Sequence, residues 1–134
     1  MTVAYWCIFA FFWLGWLPVL FAKILAGDMV KANYNPRAHL DKSQGLARRI
    51  YNVHLNSMEM FAPFSVAVVV AELVGKLPQI TIDYLAVAFI VTRLFYIVAY
   101  AKNWAPLRTL IWSVGVLITL CLLYTSDAAD ERSS

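Results

Sequence analysis

The chain has 134 residues, a net charge of only +3, 62% hydrophobic side chains and 14% charged ones, whereas a soluble domain carries about 25% charged residues. That composition, with its positive mean hydropathy, excludes a soluble globular enzyme, and the small positive charge needs no nucleic acid to explain it. A hydrocarbon core about 30 Å thick takes ~20 apolar residues per crossing, so the length allows four spans with short connections and no separate soluble domain.

The first apolar run, Val3 to Leu25, has no basic n-region and exceeds the ~7–15 residues of a signal-peptide core, so it reads as a retained span. Trp6, Trp13 and Trp16 suit lipid-facing or interfacial positions, and Pro18 is tolerable within a membrane helix. The polar segment Gly27 to Gly45, punctuated by Asn35-Pro36, reads as a loop. A second span runs from Leu46 to Val74 and ends at Gly75, Lys76 and Pro78; a third runs from Ile80 to Ala101; a fourth runs from Pro106 towards Leu123. Pro106 falls in the first turn, where its missing N–H costs nothing.

Lys31, Arg37, Lys42, Arg48 and Arg49 lie in or beside the first connection, and Lys102 and Arg108 beside the third, while the second offers only Lys76. The positive-inside rule therefore places connections one and three in the cytoplasm and both termini outside. Cys7 and Cys121 both fall in apolar spans, which suggests neither a disulfide framework nor a metal cluster. The segment CLLYTSDAADE, Cys121 to Glu131, resembles a translated sequencing-adapter end. Residues 121–134 are accordingly set apart from a four-helix domain over 1–120 and carry no functional assignment.

Ionisable side chains inside a membrane cost about 2.5–3.5 kcal/mol at mid-helix on insertion scales, so each needs a partner or water. In the second span Arg49, Asn52, Asn56 and Glu59 recur at intervals of three, four and three residues. At about 100° per residue they form one stripe less than a quarter-turn wide, which must face protein or a polar cavity. His54 lies nearly opposite, where a bond to a neighbouring helix or to the interface is its expected role. Glu72 sits near the far membrane surface, where solvation is expected. In the third span Arg93, Tyr96 and Tyr100 share a face, and Arg108 opens the fourth span at the same end. Interhelical ion pairs such as Glu59 with Arg93 account for one of these charges. The remaining arginines and tyrosine hydroxyls form a cationic site suited to an anionic, amphiphilic small molecule.

Asn35-Pro36, Gly45, Arg49, His54-Leu55-Asn56-Ser57 and Glu59, followed by Arg93, Tyr96, Tyr100 and Ala105-Pro106-Leu107-Arg108, resemble the MAPEG family of membrane-associated eicosanoid and glutathione proteins. The combination of Asn-x-x-Glu in one helix with Arg-x-x-Tyr-x-x-x-Tyr in the next is the specific part. The resemblance implies an all-α integral membrane protein, a four-transmembrane-helix bundle assembled as a homotrimer, with glutathione as co-substrate between subunits near the cytoplasmic side. It also implies that Asn56 and Glu59 hold the peptide part of glutathione, that Arg93, Tyr96 and Tyr100 add contacts, and that Arg108 is the catalytic group stabilising the thiolate. A lipophilic second substrate would then arrive through the bilayer.

The sequence departs from the family pattern at Asn52 and at Leu55, where family enzymes place arginines. Arg48 or Arg49, one turn earlier, or more weakly Lys31, is the available substitute. The short connections and the HLNSxE form look closer to bacterial members, hence to a bacterial inner membrane. The expected function is a glutathione-dependent transferase or peroxidase acting on lipophilic electrophiles or lipid hydroperoxides. The alternative is a non-catalytic membrane module binding an anionic lipid or small thiol. A small multidrug transporter ranks third, because its essential first-span carboxylate has no counterpart here.

Overall fold

The computed structural model describes residues 1–131; the last residues of the 121–134 tail fall outside the described residues. Four long helices carry the fold: α1 over Val3–Ala26, α4 over Gly45–Val74, α5 over Gln79–Ala101 and α6 over Ala105–Glu131, with two six-residue helices, α2 (Met29–Tyr34) and α3 (Pro36–Asp41), between the first two. All four long helices are apolar and long enough to cross a membrane.

The connection read as a loop is thus largely helical, and local capping explains why. Asp28 accepts the Lys31 amide at the start of α2, and Asn35 accepts the Ala38 amide at the start of α3, where Pro36 occupies the first turn. Each cap satisfies an amide that has no partner within its own helix. The second span ends at Gly75, whose left-handed φ of 62° returns its N–H to the Ala71 carbonyl, a conformation glycine adopts without steric cost.

The core is centred on three phenylalanines from three helices. Phe64 of α4 stacks on Phe89 of α5 with ring centroids 3.9 Å apart, and Phe11 of α1 meets Phe89 edge-on at 5.0 Å. Ala4, Ala67, Ala71 and Ala86, all fully buried, let the backbones approach around them, the usual means of close packing between membrane helices. A smaller cluster of Ala22, Leu40 and Tyr51 ties α3 to the basic end of the bundle.

The far end is closed by polar contacts. Thr2 donates to Glu72 at 2.5 Å, Gln79 donates to Glu72 at 2.9 Å and to Asp83 at 3.1 Å, and the Ala4 amide of α1 donates to Asp83 at 2.9 Å. Glu72, expected to be merely solvated, is therefore a structural acceptor: the start of α1 and the start of α5 both bring donors to it. A carboxylate at a helix N-terminus is also favoured by the helix dipole, which is the position Asp83 takes against α1.

Candidate functional site

The candidate residues gather at the basic end, where α4 begins, α5 ends and α6 begins. Arg93 is the most constrained of them. Its side chain is 1% exposed, with the guanidinium carbon 5.0 Å from the centroids of both the Phe89 and Tyr96 rings. Nη1 donates to Asn56 Oδ1 at 3.3 Å, while Nε and Nη2 are buried without a hydrogen-bond partner. The Glu59–Arg93 ion pair considered from the sequence does not form: Arg93 turns towards Asn56, and Nη2 occupies space that Gly115 of α6 leaves open. A Cβ at Gly115 would collide with Nη2.

One turn nearer the membrane surface, Tyr96 and Tyr100 meet edge-on at 5.2 Å, and the Arg108 guanidinium lies over the Tyr100 ring at 4.4 Å. Arg108 reaches α5 because Lys102 to Trp104 form a tight turn, with Trp104 N–H bonded to the Ala99 carbonyl at 2.9 Å. Asn56, Tyr96 and Arg108 then line one recess of about 160 Å³, shared with Thr109 and Trp112. Three helices thus contribute to it, and the polar groups its lining residues carry are a guanidinium, an amide, a phenol, a hydroxyl and an indole N–H.

A family profile described as the MAPEG family matches residues 3–126. The chain belongs to the MAPEG family. No curated protein and no solved structure matches it.

In this MAPEG chain the remaining candidates stand around the recess rather than in it. Arg49 donates through Nη2 to the Ala101 carbonyl at 3.3 Å, which fastens the start of α4 to the end of α5, and its buried Nε has no partner. Arg48 is committed elsewhere, to Asp41 at 2.9 Å and to the Leu40 carbonyl at 3.3 Å. Of the proposed substitutes for the missing arginine, Arg48 is thus held in an ion pair and Lys31 in another, with Asp28 at 2.9 Å, whereas Arg49 forms no ion pair among the described residues. Asn52 is half-buried, and Glu59, midway along α4, is exposed on the outer surface of the bundle with no ion pair among the described residues. The stripe read from the sequence is accordingly split. Asn56 turns inward to Arg93, and Glu59 points away from the single chain.

His54 bonds the Gly15 carbonyl through Nδ1 at 2.8 Å. A carbonyl only accepts, so Nδ1 carries the proton and the ring links α4 to α1. This agrees with its expected neighbour-bonded role. Three contributors were not anticipated. Trp112 lines the recess because it follows Arg108 by four residues and so shares its face of α6, a spacing that was available to be read, and Thr109 adjoins Trp112 three residues before it. Pro63, inside α4, has no N–H to give the carbonyl of Glu59 four residues back, so side chain and backbone at residue 59 both offer acceptors.

Proposed function

We propose that this protein is a glutathione-dependent transferase or peroxidase that works as a homotrimer on lipophilic electrophiles or lipid hydroperoxides. The observation that carries the reading is the convergence of Asn56, Tyr96 and Arg108 on one recess beside the incompletely bonded Arg93. Glutathione has two carboxylates, an ammonium and a thiol. Arginines match the first, Glu59 matches the second, and a guanidinium such as Arg108 favours the thiolate over the thiol. Tyr100, with Arg108 over its ring, holds that guanidinium in place, and Tyr96 and Asn56 offer hydroxyl and amide contacts to the peptide. Asn52 and Arg49 lie one and two turns before Asn56, where a carboxylate of the peptide would reach.

Size supports the trimer. Ligand pockets usually measure about 300–1,000 Å³, and the recess holds about 160 Å³, so one chain supplies only part of such a site. Glu59 on the outer surface is the group a neighbouring subunit or a bound ammonium would cover, since an unpaired carboxylate at mid-span is costly against lipid. The end bearing the first and third connections faces the cytoplasm, where basic residues accumulate.

The thiolate sulfur then attacks one of two centres: an electrophilic carbon, where the C–S bond forms as the leaving group departs with its bonding pair, or the terminal oxygen of a hydroperoxide, where an S–O bond forms. In the second case the O–O bond breaks, the alcohol leaves with a proton, and a second glutathione closes the disulfide and releases water. The alternative of a non-catalytic binder draws on Asn52 and Leu55, which stand where the family's enzymes place arginines. Substitution separates the roles: Arg108→Ala should raise the bound thiol's pKa by about one unit, or ~1.4 kcal/mol of lost thiolate stabilisation, with a smaller change in glutathione affinity. Glu59→Ala should do the reverse. Glutathione binding with no turnover of either substrate class, and no effect of Arg108→Ala on the thiol, would favour the binder.

A further inference from the structure

A second cavity lies on the other side of α4. A groove of about 490 Å³ runs between α1, α3 and α4 and is lined by Lys23, Arg37, Tyr51, His54, Trp16 and Met58, among others, with no acidic residue in its lining. Its cations are unspent. The two carboxylates of the connection are taken by other partners, Asp28 by Lys31 at 2.9 Å and Asp41 by Arg48 at 2.9 Å. Lys23 and Arg37 have neither an ion pair nor a side-chain hydrogen bond among the described residues.

The groove is also graded along the membrane normal. Lys23 lies in the last turn of α1 and Arg37 in the first turn of α3, both at the membrane boundary. Trp16 precedes Lys23 by two turns, about 10 Å deeper at 1.5 Å per residue, and Met58 reaches the same depth, since its terminal methyl lies against Gly15. One end is thus cationic and the other apolar, with His54 fixed between them by its bond to Gly15.

We propose that this groove binds an anionic phospholipid, its phosphate between Lys23 and Arg37 and the start of an acyl chain along Trp16 and Met58. Basic pockets between membrane helices on the positively charged side capture such headgroups. A free inorganic phosphate would satisfy the two cations but leave the deep apolar wall without a partner. The assignment is independent of glutathione, whose proposed contacts lie on the opposite side of α4 from His54.

The test uses the full chain in neutral detergent, with native mass spectrometry reading bound phosphatidylglycerol against phosphatidylcholine. Each basic residue beside an anionic headgroup contributes about fivefold to binding. The double variant Lys23→Ala/Arg37→Ala should therefore lose the phosphatidylglycerol preference by roughly twentyfold, while Arg108→Ala keeps it. Millimolar inorganic phosphate should leave the lipid in place. The proposal is overturned if the wild-type protein shows no preference for the anionic lipid, as it would if a neighbouring subunit filled the groove. It is equally overturned if the double variant retains the preference, or if inorganic phosphate strips the lipid.

Discussion

At the scale of single residues, the decisive arrangement is an arginine buried among aromatic rings with only one of its nitrogens bonded. Arg93 is held by Phe89, Tyr96 and Asn56, and the space for its Nη2 exists because residue 115 lacks a side chain. Gly115→Ala should therefore push the guanidinium out of position at a cost of about 1–3 kcal/mol, the usual penalty for overpacking. Thermal unfolding in detergent should show a lower midpoint for Gly115→Ala, whereas Gly27→Ala, in the connection, should act through its backbone angle alone. Arg93, Tyr96 and Tyr100 were legible in the sequence because three- and four-residue spacing places them on one face. The direction in which Arg93 turns was not legible: spacing puts it opposite both Asn56 and Glu59, and the gap beside Gly115 is a property of the packed α6.

At the scale of elements, the four spans follow from hydropathy, which reports directly on backbone satisfaction in lipid. The observed helix α5 begins one residue before the expected Ile80, and α6 begins one residue before Pro106. The connection between α1 and α4 was harder to read, because six-residue helices have too few turns for an apolar period and are held by caps instead. Asp28 shows the effect. Hydrogen bonds from Lys31, through side chain and then backbone, hold its carboxyl below the usual value. A lowered folded-state pKa means that the cap stabilises α2 above the ordinary aspartate value of about 3.9. That stabilisation is lost as pH falls through the lower folded value. The Lys31 amide resonance should shift as pH is taken below about 4, and Asp28→Asn should flatten that shift. An unchanged Lys31 amide in the wild-type protein would show that the cap does not form.

At the scale of the whole molecule, a bundle closed at one end by Thr2, Glu72, Gln79 and Asp83 leaves its other end cationic and its α4 surface carrying a lone glutamate. The composition made the membrane bundle plain. The incompleteness of the recess was invisible in the sequence, because it depends on how little space three helices leave among Asn56, Tyr96 and Arg108. Association of three copies is the arrangement we propose for completing it. Native mass spectrometry in mild detergent should show a mass three times that of the chain, and a stable monomer that still binds glutathione would remove the reason for placing the site between subunits. The central claim is that the basic end ionises glutathione's thiol, and titrating glutathione into the detergent-solubilised wild-type protein while following thiolate absorbance near neutral pH tests it most directly. The account predicts a saturable thiolate signal that falls on Arg108→Ala; saturable glutathione binding with no thiolate, or no binding at all, would contradict it.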